Sequence, residues 1–242
     1  MKHFLLIATV FSFSFIFNSC TKLERPVPNA GKTGSNRIAY IYKTDSSDAV
    51  AFKQLLETNG CTVTLLEKSS VSTTNFSGYS LVVVGHNTDG LTIEPKWTSS
   101  ESDAIKQSGK PLLLIGLGGM QLAKKMGNNI SFNNCGFSGL TGMNVIDAGS
   151  NLYKSPYPIS VVPGTQLQLY TEYVSAMSYF NDGSASNVVL IGGETLDQHY
   201  PLASEDRYSF FGFIGAIDKM TSTGKNLLVN YVYQAGQLTV PQ

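Results

Sequence analysis

Charge of either sign is scarce in this chain. Only 14% of its 242 residues are Asp, Glu, Lys or Arg, and seventeen basic residues meet seventeen acidic ones. Such a balance sets up no global field, which excludes nucleic acid and acidic polymers as electrostatically steered partners. Histidine occurs at only three positions, without His-x-x-x-His spacing. His86, His199 and Asp89 are acceptable ligand types, but no tight spacing joins them, so no metal centre is expected and no cofactor is implied. Cysteine is equally rare, at Cys20, Cys61 and Cys135. Three cysteines make no disulfide framework. An oxidising compartment would permit a Cys61–Cys135 pair, but Cys61 opens the apolar run CTVTLL, where cysteine commonly serves as a small apolar residue, and free thiols are expected. A phosphate-binding loop is missing too. The GKTG at Gly31–Gly34 has Pro26 where the leading glycine is required, and no strand precedes it.

What the first residues do contain is more specific. MKHFLLIATVFSFSFIFNSC has a basic start, an apolar run from Phe4 to Phe17 and small polar residues before Cys20. The run is shorter than the roughly 20 residues a membrane-spanning helix needs. It has the length and flanks of a secretory leader. Cleavage near Ser19 by ordinary signal peptidase is one reading. The other takes FNSC as similar to a bacterial lipobox, with Ser19 fitting and Phe17 departing from the usual leucine. In that reading residues 1–19 are removed and Cys20 carries acyl chains, palmitate among them. The segment 20–36 is rich in proline and glycine and has no apolar periodicity, as a solvated tether would. The expectation is a lipid-anchored protein of the cell envelope, at the outer membrane or cell surface, whose membrane contact is its N-terminal lipid.

From Arg37 strand and helix patterns alternate. RIAYIY, CTVTLLE, Leu81–Val84 and PLLLIG read as strands, and the segments after the first, third and fourth read as helices, the last beginning near Met120. Continuous apolar strands alternating with helices predict a parallel sheet covered on both faces. After Gly127 the rhythm breaks. Residues 128–186 read as a β-rich insertion of short antiparallel strands extending the sheet laterally. NVVLIGGE and RYSFFGFI then read as adjacent strands joined by the loop TLDQHYPLASED, and STGKNLLVNYVYQAG as a final amphipathic helix.

The stretch IGLGGMQLAKKMG, a strand-to-helix turn, resembles the nucleophile elbow of class I glutamine amidotransferase-like domains, whose pattern is Cys-x-Gly-x-Gln. Gly119 and Gln121 fit, as do Leu122, Ala123 and Gly127, while Leu117 stands at the cysteine position. The last strand and helix also look like those of the family. The resemblance covers about 37–127 and 187–236. It implies a flavodoxin-like three-layer α/β sandwich over 37–242. It also implies a catalytic Cys and a downstream His-x-Glu, and both are absent: the corresponding segment is FIGAID. Leucine is neither nucleophile nor acid–base group, so no catalytic residue is assigned. The glycines are then expected to serve close packing of helix on sheet.

Candidate ligand-binding residues lie where open α/β sheets bind ligands, at the carboxyl edge. They are His86 and Asn87 beyond the third strand; Leu117, Gly118, Gly119 and Gln121 at the elbow; and Glu194 and His199 beyond the later strand. The amides of Gly118, Gly119 and Met120 could hold an anion, or simply be capped by water. Tyr153, Tyr157, Tyr170, Tyr173 and Tyr179 could form an aromatic platform for sugar, or merely edge a half-exposed sheet. The leading expectation is a non-catalytic, lipid-anchored envelope protein that binds an unknown ligand or partner at the sheet's carboxyl edge. The alternatives are a hydrolase or amidotransferase-like enzyme using an atypical set such as His86 and Glu194, and a structural subunit of an outer-membrane assembly.

Overall fold

A computed structural model describes residues 36–43, 46–194 and 198–240. The leader, Cys20 and most of the tether lie outside the described residues, as does Asp197. Four strands open the domain: β1 (Arg37–Tyr42), β2 (Thr62–Glu67), β3 (Leu81–Val84) and β4 (Leu112–Ile115). They pair in parallel, β2 and β3 on either side of β1 and β4 beyond β3. Helix α1 (Ser46–Thr58) follows β1, α2 (Ser99–Gln107) follows β3, and α3 (Gly116–Met126) follows β4.

Because successive side chains of a strand point to opposite faces, each strand feeds two cores. Ile38, Tyr40, Leu81, Val83, Leu113 and Ile115 pack with Phe52 and Leu56 of α1 and with Leu227 and Leu228 of the last helix, α4 (Ser222–Gly236). Ala39, Ile41, Val82, Val84, Leu112 and Leu114 pack instead with Ile105 of α2 and Met120, Leu122 and Ala123 of α3. The result is three layers, α1 and α4 on one face and α2 and α3 on the other. α2 starts on a capping box, in which the Thr98 hydroxyl accepts from the Glu101 amide while the Glu101 carboxylate accepts from the Thr98 amide.

Beyond Gly127 the chain adds β5 (Cys135–Leu140), β6 (Gly142–Val145), β7 (Gln166–Gln168), β8 (Val174–Phe180), β9 (Val188–Gly193), β10 (His199–Tyr200), β11 (Leu202–Glu205), β12 (Tyr208–Phe211) and β13 (Phe213–Ile214). The large sheet runs β2-β1-β3-β4-β12-β11-β9-β6-β7. It is parallel from β2 to β12 and antiparallel from β12 to β7. The lateral extension is therefore present as β6 and β7. However, β5 and β8 leave it and build a second sheet with β10 and β13.

Two further expectations are corrected. β9 and β12 are not adjacent, because β11, inside the supposed loop, lies between them. All four residues of β11 are buried, Ser204 and Glu205 included. The Glu205 carboxylate accepts from Asn129 Nδ2 at 2.8 Å and from the Ile130 amide at 3.0 Å, which is what lets a polar stretch run through the interior. The helix after β4 begins at Gly116, four residues before Met120. Among the described residues no helix is long and apolar enough to cross a membrane.

Candidate functional site at the carboxyl edge

The chain leaves β1 and β3 on opposite faces of the sheet, so their carboxyl ends open a crevice, the usual ligand position in open α/β sheets. His86 sits at this point, in a 3-10 turn (His86–Thr88) directly after β3. Its Nε2 lies 2.8 Å from Oδ2 of Asp48, in the first turn of α1, and both side chains are about three-quarters buried. A carboxylate is favoured at that helix position. Asp48 was missed in the sequence, although an acidic residue in the first turn after a carboxyl-edge strand is the signal that could have found it.

Beneath the pair is a small cavity of about 30 Å³, lined by Tyr40, Phe52, Ile115, Tyr170 and Phe213 beside Asp48 and His86. That volume holds one or two waters. Burial, and secondarily the Asp48 charge, pushes the Tyr170 hydroxyl well above the ordinary tyrosine range. It remains a neutral phenol and donates to the Gly215 carbonyl at 3.4 Å.

The elbow follows Ile115, which lines this cavity. Its left-handed residue is Gly116, with φ +49°, and not Leu117, which falls in the first turn of α3 and packs partly buried against the α2–α3 core. A nucleophile elbow carries its nucleophile on the sharp, strained strand-to-helix turn. Here that strained residue has no side chain. A Cβ on Gly116 would come within 2.5 Å of Ile214 Cγ1 and 3.2 Å of His86 Cβ. The room a side chain at Gly116 would need is therefore filled by Ile214, the second residue of FIGAID, while Leu117, at the family's cysteine position, carries no nucleophilic group.

Gly118 and Gly119 are committed to packing, as expected. Cβ atoms there would stand 2.3 Å from Thr88 Oγ1 and 2.6 Å from the Leu114 carbonyl carbon. Gln121 is fully buried and clamps the loop after the third strand, its Nε2 donating to the Gly90 and Thr92 carbonyls at 3.1 and 2.7 Å. Its Oε1 has no partner among the described residues. Asn87 Oδ1 accepts from the Lys43 amide at 3.4 Å. Asp89 spends its carboxylate on the amides of Gly90 and Lys96. Among the described residues no three His, Cys, Asp or Glu side chains converge as metal ligands.

The fold has counterparts among solved structures. A structure assigned as a GMP synthase subunit from Thermoplasma acidophilum superposes with TM-score 0.52 at 10% identity, over 83% of this chain and 94% of that one. A chain in the structure of PurLQS from Thermotoga maritima gives TM-score 0.55 at 12% identity, over 82% and 98%. The fold is that of class I glutamine amidotransferase-like domains. No protein-family model and no curated protein matches the chain.

In this amidotransferase-like fold the structure does not bring the two groups of candidates together. Glu194 follows β9, four strands from β3 and hence roughly 19 Å away across the sheet. His199 pairs with Phe180 in the second sheet, its ring edge-on to the Phe180 ring at 5.5 Å. An atypical set built on His86 with Glu194 is thus not assembled. Neither cysteine approaches His86. Both are free thiols: Cys61 lies buried against Tyr233, and Cys135 Sγ donates to the Phe132 carbonyl at 3.2 Å. The tyrosine platform dissolves as well, since Tyr153, Tyr170 and Tyr179 are core residues and Tyr157 bonds Asn59, leaving Tyr173 exposed.

Proposed function

We propose that this protein is a non-catalytic, lipid-anchored binding domain of the cell envelope, which receives a ligand or partner at the sheet edge around His86. The observation that carries the reading is the side-chain-free elbow. Gly116 holds the left-handed position, Ile214 fills the space a side chain there would occupy, and Leu117 stands where the family has its cysteine. Covalent acyl chemistry needs a nucleophile with a base in reach, and although His86 stands beside the turn, neither Gly116 nor Leu117 supplies a nucleophile. The anchoring half of the reading rests on the basic-then-apolar leader, Cys20 and the tether that follows it.

The His86–Asp48 hydrogen bond favours one competing reading, a hydrolase in which His86, oriented by Asp48, acts as general base on water. One set of assays separates the two. Glutaminase, esterase and peptidase turnover is measured for the parent chain and for Gly116→Cys, Leu117→Cys and His86→Ala. No turnover in any of them is expected. Turnover in the parent that disappears in His86→Ala would replace the binding reading by the hydrolase. Pull-down from envelope extracts with the tether intact then tests the edge itself: a partner retained by the parent and lost by His86→Ala is expected, and equal retention would place the binding elsewhere.

A further inference from the structure

A polar concavity in the second half of the chain has no part in the His86 edge. It lies where the chain passes from the small sheet to the large one, through the turn Gly139–Gly142 between β5 and β6, and measures about 220 Å³. That is several times the roughly 30 Å³ that a water occupies in the liquid. Glu194, Asn144, Gln166, Thr141 and Tyr173 line it. Glu194 is held in place from the small sheet: Ser138 Oγ of β5 donates to its Oε1 at 3.1 Å, and the fully buried Ser178 of β8 donates to the same oxygen. Its Oε2 takes no hydrogen bond from the described residues, and no cation pairs with it among them. A partly buried carboxylate without a cation is costly to keep, and this one is fixed with a lone-pair face left open.

The lining restricts what could enter. No lysine, arginine or histidine faces the cavity among the described residues, so an anion would meet only the Glu194 charge. A simple ammonium ion would satisfy Glu194 but bring no acceptors for the side-chain amide N–H groups of Gln166 and Asn144, of which, among the described residues, one from Asn144 is used, on the Glu194 carbonyl. Hydroxyl groups donate and accept at once. Tyr173 adds an apolar face: its ring is 79% exposed and lies along Gly139, where even a Cβ would come within 3.9 Å of it. An occupant with a rim of hydroxyls and a flat C–H face, of a size near one six-membered ring, fits all of these features.

We infer that this cavity is a binding site for a neutral sugar ring, with Glu194, Asn144 and Gln166 taking its hydroxyls and Tyr173 its C–H face. The inference is independent of the reading of the His86 edge. The probes are methyl pyranosides of glucose, galactose and mannose, together with neutral oligosaccharides, titrated into the full chain in detergent by calorimetry and by protein-observed NMR. A monosaccharide should bind with Kd of about 1 mM. Shifts should be confined to residues around Gly139–Asn144 and Glu194. Tyr173→Ala and Gln166→Ala, both at exposed positions, should each weaken binding about tenfold, whereas His86→Ala should leave it unchanged. Absence of binding to every probe, binding that survives Tyr173→Ala and Gln166→Ala, or tighter binding of methylammonium than of any pyranoside would each overturn the assignment.

Discussion

Gly116 is a residue whose lack of a side chain can be tested directly. Its φ of +49° is left-handed backbone, and Ile214 stands 2.5 Å from where a Cβ would be. An L-residue there costs roughly 1–2 kcal/mol in backbone strain. Displacing Ile214 from a filled site adds about 1–3 kcal/mol. Gly116→Ala should therefore destabilise the domain by about 2–5 kcal/mol in urea unfolding. A neutral result would mean that the turn has slack, and with it room for a nucleophile. The two thiols of the domain offer a second test at this scale. Burial raises the pKa of both Cys61 and Cys135, with the Tyr233 hydrogen bond opposing the rise at Cys61. A raised pKa leaves less thiolate at a given pH, so alkylation by iodoacetamide at pH 8 should be slower at both than at a free cysteine in a peptide. The rates should still be climbing at pH values where the peptide has levelled off. A plateau at or below the peptide's pH would contradict the burial.

At the scale of elements, packing reverses an ordinary propensity. Alanine is about 1 kcal/mol better than glycine inside an isolated helix. In α3, however, a Cβ on Gly119 would stand 2.6 Å from the backbone of Leu114. Gly119→Ala should thus lower stability by about 1–3 kcal/mol, because α3 must move off β4. A stabilised variant would show that the helix can slide freely. The same contacts explain why the start of α3 was misplaced in the sequence. Four residues that include three glycines look like a turn, and only the apposed Thr88 and Leu114 hold them helical. Elements with strong local patterns were legible: Leu81–Val84 and Leu112–Ile115 are wholly apolar and wholly buried, as central parallel strands should be. β11 was not legible, since LASE carries its polar residues inward and depends on Asn129 and the Ile130 amide, more than seventy residues away in sequence. At the candidate site His86 was legible from its place after β3. Asp48 and Ile214 became meaningful only through contacts that the sheet creates between distant segments.

The whole molecule combines a parallel half, whose carboxyl edge carries the His86–Asp48 pair, with an antiparallel half and a second sheet that carry the Glu194 cavity. In the proposed reading these two concave regions, four strands apart, would each receive a ligand or partner. The same proposal assigns placement at the membrane to the N-terminal segment. A single acyl chain gives only marginal membrane residence, while two or more, each CH₂ contributing about 0.8 kcal/mol, make it stable. If Cys20 carries these chains, intact-mass analysis of the membrane-extracted protein should show a chain lacking residues 1–19 and heavier by a diacylglyceryl group and an amide-linked acyl group. Cys20→Ser should move the protein from the membrane pellet to the soluble fraction without altering its unfolding midpoint, because the described residues pack into two extended apolar cores. An unmodified Cys20, or a Cys20→Ser protein that stays in the pellet after a high-salt wash, would refute lipid anchoring. The salt wash matters because a chain without residues 1–19 has lost Lys2, and its sixteen basic and seventeen acidic residues leave no net positive charge to hold it on an anionic membrane. Retention after it would then require an apolar contact from the folded domain itself.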